Sequence, residues 1–361
     1  MTSKKMRITF LTPHINISGG VKAILEYASR LSKKGHEVTV ICPQPTFANV
    51  RLRDRNIPTV LPKRFFMNLL RYKPYWIDVG ADIKYVPSWR EEYIPEGDIV
   101  VATAWQTAPY VEDYSTQKGK KFYLIQHYET LYHAPNNEEK ADETYRFDLR
   151  KIVISSWLKK IMKEKFNSES DLLVTPVDFS QFYPTRNGYN DTKRICMLHH
   201  TYDWKGVSDG VRAFEIAKKR FSEMRLVMYG VHQNKLSLDY DYYHRPWGGK
   251  LNEIYNSCDI FLCPSWKEGL GMTSMEAMAC KCALVTTDNG GCHDYAIHER
   301  TALLSPPKRP EELAKNLIRL LESEALLKTI AENGYQHVRQ FTWGEAVEKM
   351  ETVFQTELQK K

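Results

Sequence analysis

Residues 259–280 decide the fold, and they read Asp259-Ile-Phe-Leu-Cys-Pro-Ser-Trp-Lys-Glu268-Gly-Leu-Gly-Met-Thr-Ser-Met-Glu276-Ala-Met-Ala-Cys280. The apolar run after Asp259 is typical of a buried strand, and the run from Met275 is typical of a helix. A strand, a glycine-containing loop and a helix start offer backbone N–H groups and a positive dipole end to a phosphate. Glu268 and Glu276 add carboxylates that accept hydrogen bonds from hydroxyls. The segment therefore predicts a pocket for a sugar nucleotide.

Each glutamate also has a simpler interpretation. Thr273-Ser-Met-Glu276 fits a capping box, which alone would explain a threonine and a glutamate at this spacing. Glu268 would be unremarkable as a surface residue. The capping box leaves Glu268, Gly269 and Gly271 unexplained, so we favour ribose binding for Glu276 and a role at the sugar for Glu268.

Bulk composition limits the class of protein. The chain has 361 residues, 42% of them hydrophobic and 26% charged, which suits a globular protein of two domains. No apolar run approaches the roughly 20 residues needed to span a bilayer, and the N-terminus has too short an apolar run for a secretory signal. The odd number of cysteines, seven, predicts reduced thiols in the cytoplasm. Cys280 and Cys282 lack a second pair at zinc spacing, so we expect no metal.

Short strand-like runs alternate with helix-like runs, which predicts an α/β fold with parallel sheets covered on both faces. Strands are expected at 7–11, 37–42, 98–103, 121–126, 152–155, 194–198, 225–229, 259–263 and 282–287. The alternation pauses in a turn-rich segment near 175–191. We therefore expect an N-terminal Rossmann-like domain over 1–173 and a second one over 174–342. An amphipathic helix follows at 343–361. Two such domains predict a ligand cleft between them.

The net charge of +7 favours an anionic partner. Residues 51–76 interleave arginine and lysine with aromatic and aliphatic side chains, and such a surface could lie against anionic lipid. The simpler interpretation is that the apolar residues are core and the charges solvated. Because no nucleic-acid motif accompanies the tract, we expect no nucleic-acid partner.

Weaker signals lie in other loops that follow strands. Gly290-Gly291 could form an anion nest or an ordinary turn. Gly19-Gly20 opens the first helix without the GxGxxG fingerprint and could equally be a tight turn. Lys205 can neutralise a diphosphate, although most lysines are only solvated. His127 could bond a hydroxyl or be a satisfied buried histidine. Asp239-Tyr-Asp241 resembles a metal-binding motif but lies in a tyrosine-rich loop.

These motifs together resemble the retaining glycosyltransferases of family four, which have the GT-B fold. The pattern from Glu268 to Cys280 is similar to the family's E-x7-E segment, and Gly290-Gly291 to its glycine pair. Lys205-Gly206 resembles its Lys-Gly loop, and Phe341-Thr-Trp343 the sequence before its last helix. The resemblance is close from about 254 to 343 and looser before that.

The resemblance implies a role for each residue. Glu276 would hold the ribose and Lys205 the diphosphate. Glu268 would hold the donor sugar with the loop formed by Gly269, Leu270, Gly271, Met272 and Thr273. Gly20, beside Gly19, would lie near the same phosphates. His127 falls near the place where the family often has a histidine in the cleft, which implies a catalytic role beside Glu268 and Lys205. The family's Gly-Arg, five residues before the lysine, is replaced by His199-His200. One diphosphate contact is therefore missing or supplied elsewhere, with Arg245 as the candidate.

The resemblance implies a retaining, metal-independent glycosyltransferase that uses a nucleotide-diphosphate sugar and needs no cofactor. The acceptor would be a hydroxyl of a glycan or a lipid-linked molecule in surface polysaccharide synthesis, and the strand sequences near Ala102 and Tyr123 resemble those of rhamnosyltransferases. The expected location is the cytoplasm, with peripheral contact at the inner face of the membrane. A GT-B epimerase of nucleotide sugars and a non-catalytic glycan-binding protein are the alternatives.

Overall fold

A computed structural model describes residues 5–43, 67–131, 137–185, 188, 190, 192–232 and 236–360. The chain divides into two compact units. The first combines Met1–Leu173 with Gly344–Lys361, and the second is Val174–Trp343. Both are layered α/β structures in which helices alternate with parallel strands.

The first unit contains, in its described part, a parallel sheet of seven strands in the order β3-β2-β1-β4-β5-β6-β7. The strands are β1 (Arg7–Leu11), β2 (Glu37–Cys42), β3 (Asp82–Tyr85), β4 (Ile99–Ala102), β5 (Lys120–Ile125), β6 (Arg150–Val153) and β7 (Ser170–Leu172). The helices are α1 (Gly19–Lys33), α2 (Ala108–Asp113), α3 (Glu138–Thr144) and α4 (Ser156–Phe166).

The second unit is built in the same way, with six described strands in the order β10-β9-β8-β11-β12-β13. They are β8 (Arg194–Leu198), β9 (Arg225–Gly230), β10 (Asp241–His244), β11 (Ile260–Cys263), β12 (Ala283–Thr287) and β13 (Leu303–Ser305). The helices are α5 (Val207–Lys218), α6 (Gly249–Asn256), α7 (Met272–Ala279), α8 (Pro310–Glu322) and α9 (Glu324–Val338). Its core joins sheet residues such as Met197 and Val285 to helix residues such as Phe214 and Leu317.

The last helix, α10 (Trp343–Gln359), packs on the first unit. The Phe354 ring meets the Phe122 ring edge-on, with centroids 4.8 Å apart. The Glu357 carboxylate accepts a hydrogen bond of 2.8 Å from Arg150 at the start of β6. Burial of apolar side chains and this ion pair hold the C-terminal helix against a sheet whose strands come much earlier in the sequence.

Four described strands were not predicted from the sequence: β3, β7, β10 and β13. All four are short and lie at an edge of their sheet, and β10 also carries polar residues, as in Asp241-Tyr-Tyr-His244. Edge strands pair on one side only, so they do not need the continuous apolar run by which a central strand is recognised.

Candidate functional site

The segment that decided the fold forms a strand, a loop and a helix, and the helix begins three residues before the helix-like run predicted from Met275. Strand β11 ends at Cys263, and α7 begins at Met272. The residue before the helix is Gly271, at φ 97°, and no side chain caps the helix N-terminus. The capping-box interpretation of Thr273 and Glu276 is therefore wrong.

Lys205 and Glu268 form an ion pair across two loops at the carboxyl edge of the second sheet. The Lys205 Nζ lies 2.7 and 2.9 Å from the two carboxylate oxygens of Glu268. The lysine side chain is 21% exposed and the glutamate side chain 11%. A recess lined by these two residues also contains Thr273 and Ser265. Lys205, predicted from one motif, thus lies beside Glu268 and Thr273, which were predicted from another.

Close backbone packing holds the two loops together. The Trp266 amide donates a hydrogen bond of 2.7 Å to the carbonyl of Trp204, the residue before the lysine. A Cβ on Gly206, which has φ 62°, would lie 2.1 Å from the carbonyl oxygen of Pro264. Only glycine lets the Lys205 loop approach the Glu268 loop this closely.

The Gly290-Gly291 turn supports the Glu268 loop from its other side. The Glu268 amide donates to the Asn289 carbonyl at 3.0 Å, and Glu268 and Gly290 form an isolated parallel bridge. A Cβ on Gly291 would lie 2.6 Å from the Leu270 nitrogen and 2.7 Å from the Glu268 oxygen. The glycine pair therefore packs on the glutamate loop, and its predicted role as an anion nest stays a prediction.

Glu276 is buried in α7, and a tyrosine chain that the sequence did not reveal holds it. The Tyr255 hydroxyl donates to Glu276 Oε2 at 3.3 Å and lies 2.7 Å from the Tyr229 hydroxyl. Burial raises the pKa of both tyrosines well above the usual value, so both hydroxyls keep their protons. Tyr255 thus orients the carboxylate assigned to the ribose.

The loop between the two glutamates contains both buried and accessible residues. Leu270 is buried, so its side chain is not available to a ligand. Gly269 precedes it, and Met272 and Thr273 are half-buried in the first turn of α7. A Cβ on Gly271 would lie 2.3 Å from the Tyr295 hydroxyl, so this position accepts only glycine. The loop presents amides and one hydroxyl beside Glu268.

Arg245 lies after β10, is exposed, and has a left-handed backbone at φ 51°. Its amide donates to the Gly230 carbonyl at 2.8 Å, and its guanidinium makes no ion pair with any described residue. Asp239 and Asp241 pair with Arg225 at 2.8 Å and Arg194 at 2.9 Å. Because each aspartate already has an arginine partner, the resemblance of Asp239-Tyr-Asp241 to a metal motif is explained by ion pairing.

His200, to which the sequence gave no role, lies beside the ion pair. It follows β8, and its Nδ1 accepts a hydrogen bond of 3.1 Å from the Tyr202 amide. Burial is the main cause that lowers its pKa to about 4; Lys205 and His232 act in the same direction, and Glu268 opposes them. The side chain is therefore neutral at pH 7. Its neighbour His199 is buried against the Tyr242 ring.

The candidates in the first unit lie at the carboxyl edge of that unit's own sheet. Gly19 and Gly20 are the first residues of α1, which Ser18 caps through a bond of 3.3 Å to the Val21 amide. A Cβ on Gly20 would lie 3.3 Å from the side-chain oxygen of Gln126, which follows β5. His127 comes next and packs edge-on against Trp157, with ring centroids 6.2 Å apart.

Glu129 is a carboxylate in the same region that sequence reasoning missed. Its Oε2 accepts hydrogen bonds from the Trp105 amide at 2.8 Å and from the Tyr123 hydroxyl at 2.9 Å. Burial raises the pKa of Glu129 to about 7, and those two bonds oppose the rise. The side chain ties the loop after β4 to the loop after β5. The sequence did not predict this tether, because a single glutamate after a strand belongs to no recognisable motif.

The basic and aromatic tract at 51–76 is only partly described, because residues 51–66 lie outside the described residues. In the described part, Met67 and Trp76 are buried, whereas Leu69, Leu70 and Tyr75 are at least 65% exposed. The tract thus combines core residues with an apolar surface. No helix among the described residues has the length and hydropathy needed to cross a bilayer.

The cysteines are all described, all buried and all free of disulfides. One group in the described part places three potential metal ligands within 4.8 Å of one another: Asp288, Cys292 and His293. Burial raises the pKa of the Cys292 thiol to about 12, and His293 already bonds Asp288 at 2.6 Å. Two of the three potential ligands, Asp288 and His293, therefore already bond each other.

Comparison with known proteins finds a family match within the second unit. Residues 184–337 match the family model for glycosyl transferases group 1. An uncharacterized glycosyltransferase of Methanocaldococcus jannaschii is 32% identical over 106 residues, which cover 29% of this chain and 30% of that protein. The capsular polysaccharide biosynthesis glycosyltransferase CapM of Staphylococcus aureus is 25% identical over 235 residues, covering 57% and 61%. The matched stretches span less than two thirds of either relative.

Solved structures resemble the chain along nearly its whole length. HepE of Anabaena, in complex with UDP and glucose, matches 97% of this chain and 100% of its own, with a TM-score of 0.75 and 14% identity. Sucrose-phosphate synthase of Thermosynechococcus elongatus matches 98% and 99%, with a TM-score of 0.73 and 15% identity. The fold class predicted from the sequence is confirmed. The chain has the GT-B fold, and its residues 184–337 are similar to the group 1 glycosyl transferases.

Proposed function

We propose that this protein transfers a glycosyl group from a nucleotide-diphosphate sugar to a hydroxyl, with retention of anomeric configuration and without a metal ion. The observation that carries the proposal is the ion pair between Lys205 and Glu268 beside the start of α7. One cation, one carboxylate and a helix N-terminus at the carboxyl edge of a parallel sheet suit a ligand with both phosphates and hydroxyls. The family match of residues 184–337 supports this interpretation.

Each part of the donor has a candidate partner in the second unit. Lys205 and the amides at the start of α7 take the diphosphate, whose charge grows as the sugar leaves. Glu268 accepts hydrogen bonds from sugar hydroxyls, and Glu276, oriented by Tyr255, accepts them from the ribose. The roles of Gly19, Gly20, His127, Gly290, Gly291 and Arg245 remain those that the family resemblance implies.

The reaction exchanges one bond at the anomeric carbon for another. The bond from that carbon to the diphosphate oxygen breaks, and a bond to the acceptor oxygen forms on the same face. The proton of the acceptor hydroxyl passes to the departing phosphate oxygen. Lys205 lowers the energy of this step because it stabilises the charge on the diphosphate.

The acceptor in this proposal is a glycan or a lipid-linked molecule of surface polysaccharide synthesis, as the name of the similar CapM suggests. Peripheral contact with an anionic membrane is assigned to residues 51–76, where Leu69, Leu70 and Tyr75 are exposed. Vesicles of anionic lipid should sediment the wild type and leave the double variant Leu69→Asp, Leu70→Asp in solution. Equal sedimentation of both proteins would remove this part of the proposal.

A panel of nucleotide sugars, including UDP-glucose and dTDP-rhamnose, tests the activity. The purified chain is incubated with each donor and with simple glycosides as acceptors, and the released nucleoside diphosphate is measured. We expect release from at least one donor with wild type and loss of release with Glu268→Gln. NMR of the product should show the donor's anomeric configuration.

Each rival has its own signature in the same panel. A free epimerised sugar without a transfer product would identify an epimerase. Binding of glycans without release of nucleotide from any donor would identify a glycan-binding protein. An inverted product would contradict retention while leaving glycosyl transfer intact.

A further inference from the structure

The ion pair leaves the proposed diphosphate site without net positive charge. Lys205 is the cation assigned to the diphosphate, and the carboxylate of Glu268 already neutralises it. A diphosphate that arrives here adds negative charge to a site whose own charges cancel. Its oxygens therefore need further hydrogen-bond donors, because each phosphate oxygen left unbonded in a partly buried site costs free energy.

His200 is such a donor, and its tautomer is fixed by the loop that contains it. The Tyr202 amide donates to His200 Nδ1 at 3.1 Å, so this nitrogen carries a lone pair and the proton of the neutral ring lies on Nε2. The Tyr202 ring packs on His200 at a tilt of 39°, with centroids 4.4 Å apart, and stacks on Trp204 at 4.3 Å. This stack connects the imidazole to the residue directly before Lys205.

Four titratable groups of the described chain face His200. Besides Tyr202, whose ring packs on it, they are His199 beside it after β8, Lys205 in the following loop, His232 after β9, and Glu268 after β11. Burial, Lys205, His232 and His199 all lower the pKa of His200, and Glu268 alone raises it. A proton on Nδ1 would also meet the Tyr202 N–H head-on. Both effects keep the ring uncharged.

We propose that His200 is a ligand of the donor diphosphate that binds as a neutral imidazole, donating its Nε2–H while the Tyr202 amide holds Nδ1. This inference rests on the proposed function and adds to it a residue that the family motif does not supply, since the motif has an arginine here. The consequence is a diphosphate site in which Lys205 is the charged donor and His200 an uncharged one. An arginine guanidinium would carry a positive charge at any pH. The neutral His200 ring instead gives the diphosphate one oriented hydrogen bond and no positive charge.

Calorimetry with UDP, GDP and dTDP tests the proposal, because these probes carry the diphosphate without a sugar. His200→Phe keeps the ring and removes the donor, and we expect it to weaken binding on the order of 10-fold. His200→Gln retains an N–H donor near the Nε2 position and should stay within about 3-fold of wild type. His298→Phe, an exposed histidine elsewhere in the second unit, is the matched control and should bind as wild type does.

The charge state is tested by repeating the titration in buffers of different ionisation enthalpy. Equal heats in HEPES and Tris at pH 7.5 would show that no proton is taken up, as the proposal requires. Nitrogen NMR of the complex should show a neutral ring protonated on Nε2. Proton uptake by wild type that disappears in His200→Phe would overturn the neutral state, and unchanged affinity of His200→Phe would overturn the ligand role. If none of the three nucleotides binds wild type, the proposed function itself fails.

Discussion

The Lys205 Nζ lies 2.7 Å from one carboxylate oxygen of Glu268 and 2.9 Å from the other, although 63 positions separate the two residues in the chain. The lysine is assigned to the phosphates of a donor and the glutamate to its sugar. In the free protein these two groups satisfy each other. A donor must therefore compete with an existing ion pair for both of its anchors.

Replacing Glu268 with glutamine should separate binding from turnover. Without the carboxylate, Lys205 is free for a diphosphate and one repulsive charge is removed, so affinity for UDP or the equivalent nucleotide should rise about three- to tenfold. Sugar transfer should fall by at least about 100-fold, because a carboxylate beside the reacting sugar is lost. Calorimetry and donor turnover measure the two effects. A variant that loses nucleotide affinity would contradict the competition between Glu268 and the donor.

Lys205→Ala should destabilise the second unit as well as abolish turnover. The Glu268 carboxylate, only 11% exposed, would lose its cation. We expect the free energy of unfolding to fall by about 1–3 kcal/mol. The double variant Lys205→Ala, Glu268→Gln should recover most of that loss, because the uncharged glutamine leaves no unpaired charge at position 268. Denaturant unfolding of the four proteins gives the coupling energy, and strict additivity would show that the ion pair does not stabilise the fold.

Much of this geometry follows from the sequence. The apolar runs predicted β1, β2 and β8 with the bounds that the structure has, because central parallel strands are buried on both faces. The spacing of the two glutamates predicted that Glu268 lies in the loop after β11 and that Glu276 lies in the helix after that loop. Residues on one strand, one turn and one helix are close in the chain, so local patterns describe them.

The contacts between loops could not be predicted in this way. The pairing of Glu276 with Tyr255, and of Glu129 with the Trp105 amide, joins residues that belong to different strands or helices. Their geometry depends on strand order and on close approaches such as that of Gly206 to Pro264. His200 was noticed only as half of a histidine pair, since nothing in the sequence shows that the Tyr202 amide holds its ring.

Gly291→Ala should disturb the glutamate loop. An added Cβ would lie 2.6 Å from the Leu270 nitrogen, and the neighbours are backbone atoms that cannot turn away. We expect a loss of about 1–3 kcal/mol in unfolding free energy and weaker donor binding. Gly249→Ala is the matched control, because a Cβ there meets no atom within 4 Å. Equal stability of the two variants would show that the loop relaxes freely around position 291.

Tyr255→Phe should weaken donor binding more than it slows turnover. The hydroxyl donates to Glu276 at 3.3 Å, so its removal leaves the buried carboxylate with one hydrogen bond fewer. We expect KM for the donor to rise about three- to tenfold with a smaller change in kcat, because Glu276 is assigned to the ribose rather than to the reacting carbon. A variant with unchanged KM and reduced kcat would argue that Glu276 acts on the reacting centre.

Glu129 should make the stability of the first unit depend on pH. Its pKa is about 7 in the folded protein against 4.5 ordinarily, so folding favours the protonated form. The stabilisation is complete below pH 4.5 and is lost as the pH rises through 7, at most about 3 kcal/mol. Hydrogen exchange measures the protection of the β5 amides in wild type and in Glu129→Gln. The difference in protection between the two proteins should change between pH 5 and pH 8.

The matched control for that experiment is Glu139→Gln, which removes a charge from an exposed position of α3. If the difference between wild type and Glu129→Gln stays constant across the pH range, Glu129 is ionised in the folded protein at all of these pH values, and the tether to Trp105 and Tyr123 does not depend on its proton.

The most direct test of the account is a crystal structure of the protein soaked with the nucleotide sugar that it turns over. We predict that Lys205 Nζ will lie within hydrogen-bond distance of a diphosphate oxygen, with Glu268 on a sugar hydroxyl and Glu276 on the ribose. A donor bound elsewhere, with the ion pair between Lys205 and Glu268 intact, would contradict the central claim.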